Sequence, residues 1–112
     1  MFYEPGKSGH GLPHDPFKSL VVPRPIGWIS TYAKDGTPNL APYSFFNAVG
    51  FAPPMVIFSS GTRRPDHDDK DSALNVEETG AFVVNMVSYD LRDQMTLSAE
   101  EVEPDVDEFD LA

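Results

Sequence analysis

Hydrophobic and polar positions divide the chain into an unpatterned start and a β-rich remainder. Residues 1–16 are rich in Gly, Pro and His and show neither a period of two nor one of 3.6, which predicts an irregular lead-in. From Phe17 the chain turns apolar, and Ile26 to Ala33 (IGWISTYA) mixes β-branched and aromatic residues as strands do. The Asp35-Gly36 pair inside Lys34 to Thr37 then signals a hairpin turn. The return arm, Pro38 to Phe51 (PNLAPYSFFNAVGF), reads as a strand interrupted near Pro42, whose missing donor must face an edge, a bulge or a ligand. Ala52, Pro53 and Pro54 break the chain, Met55 to Ser60 reads as a short buried strand, and Gly61 to Asp69 as a polar loop.

Lys70 to Gly80 (KDSALNVEETG) has the marks of a short helix. Asp71 or Ser72 can cap it, Ala73 and Val76 share a face, and Gly80 suits its end. Ala81 to Val87 is a further strand, Leu91 to Ala99 a second helix, and Glu100 to Asp110 an acidic run expected to be solvated. The sum is a mainly β fold with short helices and about four strands, an open sheet whose edges need cover.

With 112 residues the chain has room for one hydrophobic core, so residues 17–112 are read as a single domain after the lead-in. Lys plus Arg number 8 against 18 for Asp plus Glu, a formal net charge of -10, which is the wrong sign for attraction to nucleic acid or to an anionic membrane. Asp exceeds Glu and Lys is scarce, a balance that keeps a surface hydrated at high salt. Cysteine is absent, which removes thiol nucleophiles, thiolate metal sites and disulfides. Redox work would therefore need a borrowed cofactor. The longest apolar stretch, Phe51 to Phe58, is far short of a membrane span, and the first residues lack a signal sequence, so a cytoplasmic protein without membrane attachment is expected.

Several motifs fail on spacing. Gly6-Lys7-Ser8 lacks the earlier glycine of a phosphate loop. His10 and His14 are spaced like helical zinc ligands, but Gly11 and Pro13 oppose a helix. Asp66, His67, Asp68 and Asp69 read as a hydrated acidic loop rather than a metal site. No set of Ser, His and acid has the spacing of a hydrolase, and no catalytic side chain is assigned.

Two segments carry more. Asn39 to Asn47 places Tyr43, Ser44, Phe45 and Phe46 directly after a proline, either as core packing or as apolar walls with a few polar groups for a flat heteroaromatic ring. Lys70, Asp71 and Ser72 open a helix where amides, a hydroxyl and an ammonium can converge on an anion, or can simply cap the helix. Arg63 and Arg64 are offset by Asp66, Asp68 and Asp69, so they make no basic patch.

Pro23 to Thr31 (PRPIGWIST), Asn39 to Ser60, Lys70 to Asn75 (KDSALN) and Thr79 to Asn85 (TGAFVVN), in this order and with these gaps, resemble the flavin reductase-like family with its FMN-binding split β-barrel. The resemblance runs from about Phe17 to the end of the chain. It implies FMN as cofactor, with Ile29, Ser30 and Thr31 beside the flavin and Pro42, Tyr43, Ser44, Phe45 and Phe46 lining its ring, largely through main-chain groups. Ser59 and Ser60 would lie near the ribityl chain, and Lys70, Ser72 and Asn75 around the phosphate. Ser72 stands where the family usually has threonine, which keeps the hydroxyl.

Family members continue beyond the point matching Leu111 with strands that complete the barrel, so the match covers the N-terminal part of such a domain. The resemblance implies an oxidoreductase that passes hydride from NADH or NADPH through FMN to an acceptor, and a homodimer with the flavin at the subunit interface. An electron carrier of the flavoredoxin kind and a partial domain without activity are the other readings of these residues.

Overall fold

Strand β1 (Gly27–Tyr32) is the centre about which the molecule is built. In the computed structural model, residues 3–7, 9–61, 71–100 and 107–112 are described. β1 pairs antiparallel with β2 (Pro38–Tyr43) and, on its other side, with β5 (Val83–Asn85), giving the order β2-β1-β5. The β1–β2 register sets Trp28 against Pro42, Ile29 against Ala41 and Thr31 against Asn39. β2 is an edge of this sheet, where a proline is tolerated.

The turn between β1 and β2 follows from Asp35 and Gly36. Gly36 N–H donates to the Ala33 carbonyl at 3.0 Å with φ +92°, a conformation glycine adopts without strain. Asp35 Oδ1 accepts from Thr37 N–H at 2.9 Å, and that amide holds the Asp35 carboxyl below its ordinary range.

The expected return arm breaks after Tyr43 into two strands. β3 (Phe46–Phe51) and β4 (Pro54–Phe58) form a separate two-stranded antiparallel ribbon with a bulge between Ala48 and Gly50. β4 starts one residue before the expected strand and ends before Ser59, and it is not buried: Met55, Val56 and Ile57 are all exposed. The reason is architectural, since a two-stranded ribbon buries a face only when another layer covers it.

One helical turn, α1 (Phe17–Leu20), follows the lead-in, started by Asp15 Oδ1 accepting from Phe17 N–H at 2.9 Å. In the lead-in itself His10 Nδ1 accepts from Leu12 N–H at 3.1 Å. Helix α2 (Asp71–Thr79) ends at Gly80, whose φ is +72° and whose N–H donates to the Val76 carbonyl. The strand expected over Ala81 to Val87 is shorter, because β5 meets β1 only at Trp28, Ile29 and Ser30.

The second helix forms as a tight turn, Tyr89–Leu91, running into α3 (Arg92–Leu97). Ser98 ends it and accepts Trp28 Nε1–H at 2.8 Å, which ties α3 to β1. The last element, α4 (Glu108–Leu111), is capped by Asp107 accepting from Phe109 N–H at 2.8 Å. Among the described residues the buried apolar core is small: Trp28, Ile29, Leu40 and Tyr43.

The acidic run was expected to be solvated, but Glu108 is only 6% exposed. It is drawn in because Asn39 and the β2 edge offer it donors, as described below. Residues 101–106 of that run, and Arg63, Arg64, the cluster Asp66 to Asp69 and Lys70, lie outside the described residues.

Candidate functional site

Sequence reasoning placed one group of residues at the end of β2 and another at the start of α2. The first group gathers at a turn. Ser44 and Phe45 connect β2 to β3, and the Phe45 carbonyl accepts from Ser59 N–H at 2.9 Å, so the two ends of the β3–β4 ribbon close on this point. Ser59 is exposed and Ser60 half-buried beside it. Tyr43 is buried and packs on Phe58 with ring centroids 5.1 Å apart. Phe46 closes on Gly27: a Cβ on that glycine would stand 2.7 Å from Phe46 Cδ2.

A residue that the sequence did not single out holds this turn. Arg24 Nε donates to Ser44 Oγ at 3.2 Å, Nη1 donates to the carbonyls of Lys18 and Val21, and the guanidinium carbon lies 5.5 Å from the Phe45 ring centroid. Its place in PRPIG gave no spacing signal, because its partner Ser44 is twenty residues away.

The second group is a buried polar network. Ser72 Oγ donates to Asn39 Oδ1 at 2.5 Å, Asn39 Nδ2 donates to Glu108 Oε1 at 2.9 Å, and Leu40 N–H donates to Glu108 Oε2 at 3.2 Å. One turn further along α2, Asn75 Nδ2 donates to Thr31 Oγ1 at 3.0 Å. The helix is thus fixed to β1 and β2 by paired hydrogen bonds, with Ser72, Asn75, Thr31 and Asn39 all buried. Burial pushes the Glu108 carboxyl up, reinforced by the charges of Asp71 and Asp107 and opposed by main-chain N–H donors.

The two groups meet. Pro42 and Tyr43 line one cleft with Asp71 and Ser72, a space of about 120 Å³ that Asn39 and Glu108 also border. The carboxylates of Asp71, Glu100 and Glu108 stand around it, an adverse surface for a phosphate.

Other residues named from the sequence lie in the sheet and on α2. Ile29 is fully buried on the central strand, with its main chain between Ala41 and Val84. Ser30 is half-buried and accepts from Asn85 Nδ2 at 3.1 Å. The Ser72 hydroxyl proton goes to Asn39 and one N–H of the Asn75 amide goes to Thr31, so both side chains fasten α2 to the sheet, while the first main-chain amides of a helix have no partner within it. The ring-end residues thus form a turn that carries a cation, apolar side chains and main-chain groups.

The flavin reductase like domain family matches residues 19–112. The chain belongs to the flavin reductase-like family. An uncharacterized protein of Aquifex aeolicus is 50% identical over 93 residues, which are 83% of this chain and 47% of that protein. The solved structure of nitrilotriacetate monooxygenase component B from Bacillus cereus superposes with a TM-score of 0.81 at 29% identity, covering 99% of this chain and 55% of that one. The 2-nitrobenzoate 2-nitroreductase NbaA of Pseudomonas fluorescens gives 0.66 at 32% identity, over 82% of this chain and 45% of its own.

The chain thus spans about half the length of the relatives it matches. As a flavin reductase-like chain it has that family's split-barrel fold, mainly β with short helices. Among the described residues no helix is long and apolar enough to cross a membrane.

Proposed function

We propose that this flavin reductase-like chain contributes the FMN site of an oxidoreductase that takes hydride from NADH or NADPH and passes reducing equivalents to an acceptor. The observation that carries the reading is the Ser44–Phe45 turn, where both ends of the β3–β4 ribbon close beside Arg24 and the buried Tyr43, in a chain whose family match covers that segment. Bound FMN would supply the hydride-accepting ring, a chemistry that no side chain of this cysteine-free protein provides.

The protein's own residues bind and orient. Pro42, Tyr43, Ser44, Phe45 and Phe46 would hold the ring, with main-chain groups at the turn supplying hydrogen bonds and Phe46 a wall. Ser30 and Thr31 would border the ring from β1, and Ser59 and Ser60 would face the ribityl chain. The phosphate would be held by Lys70 and by amides at the start of α2, with Ser72 and Asn75 around it fixing the helix that presents them. Fixed main-chain dipoles near Ser44 and Phe45 would offset negative charge on a reduced ring.

The exposed ribbon, with Phe51 at 92% and Ile57 at 54%, supports a homodimer in which a second copy covers β3 and β4. A net charge of -10 speaks against a nucleic-acid partner, and a cytoplasmic location completes the proposal. The protein as the cell makes it should purify yellow or take up FMN on titration, and then consume NADH or NADPH in the presence of an acceptor. A colourless protein indifferent to FMN would end the reading.

A further inference from the structure

Arg24 differs from the other paired cations of the described chain. Lys7 meets Glu4, Lys34 meets Glu78 and Arg92 meets Asp93. Arg24 instead satisfies its guanidinium with neutral oxygens: Ser44 Oγ and the carbonyls of Lys18 and Val21. Among the described residues no carboxylate forms an ion pair with it, so its charge is held in place by neutral groups. It is half-buried, where the surrounding protein screens its field less than water would.

These contacts also fix where the charge points. The carbonyls of Lys18 and Val21 hold one end of the fork at α1, and Nε reaches Ser44, so the guanidinium lies against the Ser44–Phe45 turn, 5.5 Å from the Phe45 ring centroid. A lysine in the same place would be a single point charge without the fork.

We infer that Arg24 is the residue that sets the redox poise of this site, its charge, immobilised by neutral oxygens at the Ser44–Phe45 turn, favouring the anionic reduced form of a bound flavin over the neutral oxidised form. The inference rests on the flavin reading of the same turn. A hydride carries two electrons and one proton from a reduced nicotinamide to the flavin ring. The donor leaves as the oxidised nicotinamide cation, and the ring keeps one additional negative charge until a further proton arrives. A fixed cation stabilises that charge and does little for the oxidised ring, so it raises the midpoint potential.

The test compares midpoint potentials of the FMN-loaded protein, as the cell makes it, in wild-type form and as Arg24→Gln and Arg24→Lys, by equilibrium titration against redox dyes. Arg24→Gln should lower the preference for reduced over oxidised flavin about tenfold, a fall of about 30 mV for a two-electron couple. Arg24→Lys, which keeps the charge and loses the fork, should fall by less than half as much. If Arg24→Gln does not fold, Arg24→Met fills the same space without charge and carries the same expectation.

An uncharged variant with the wild-type potential overturns the inference, and so does a lysine variant that falls as far as the uncharged one. A wild-type protein that takes up no flavin ends the functional reading instead, so the two failures are distinguishable.

Discussion

Glu108→Ala removes the carboxylate that fastens α4 to the edge of the sheet. In the wild type its two oxygens accept from Asn39 Nδ2 at 2.9 Å and from Leu40 N–H at 3.2 Å, and the residue is 6% exposed. Truncation leaves both donors without a partner in a place water scarcely reaches. Each buried donor left unsatisfied costs roughly 1–3 kcal/mol, and removing a desolvated charge returns part of this, so a net loss of about 2 kcal/mol is expected.

For a chain of this size that loss corresponds to a fall in Tm of about 8 °C. Urea unfolding measures it as a lower midpoint at unchanged slope. The loss should also depend on pH. Burial raises the Glu108 carboxyl above its unfolded value, so the folded state holds the proton more tightly. Its contribution is therefore complete below the unfolded pKa and declines as pH rises through the folded one. The gap between wild type and Glu108→Ala should accordingly widen as pH falls from 7 toward 4. Glu108→Gln should lose less, because the Asn39 amide can reverse and the Ser72 hydroxyl can turn from donor to acceptor. An alanine variant with the wild-type midpoint, or a gap that narrows on acidification, would refute the reasoning.

Gly27→Ala forces a methyl to within 2.7 Å of Phe46 Cδ2, so the ring must move at a cost of roughly 1–3 kcal/mol, visible as a lower urea midpoint and shifted Phe46 resonances. Ser98→Ala leaves the indole N–H of Trp28 without its acceptor and should cost roughly 1–2 kcal/mol; because the chain has one tryptophan, its emission reports the change directly, and an unaltered spectrum and midpoint would count against the bond. Lys70→Ala should weaken FMN binding about tenfold through the lost charge-assisted contact and leave riboflavin binding unchanged, whereas equal FMN affinities would remove Lys70 from the site.

The local signals in the sequence were the readable ones. Asp35-Gly36 and the β-branched run before it marked the β1–β2 hairpin, and Gly80 marked the end of α2, because turn and cap chemistry act over a few residues. The break in the return arm was visible at Pro42, although the chain stays paired through Tyr43 and parts only at Ser44. The burial of β4 was misjudged because an apolar run reports what a strand needs and not which layer supplies it.

The network through Asn39 was illegible for a different reason. Its partners lie 33 and 69 residues away, and Glu108 sits in an acidic run that composition alone reads as surface. The candidate site shows the same division. Its segments were recognisable as ordered pieces of a family, while the use of Ser72 and Asn75 as fasteners and the position of Arg24 depend on contacts that no spacing encodes.

The way α2 is attached limits how it can move. Oily surfaces tolerate sliding, since one close-packed arrangement is nearly as good as its neighbour, whereas the bonds from Ser72 to Asn39 and from Asn75 to Thr31 are directional and fail within a fraction of an ångström. The helix therefore has one permitted rotation and one permitted depth. Exchanging these four residues for aliphatic ones of similar size would keep the helix on the sheet while letting its tip wander.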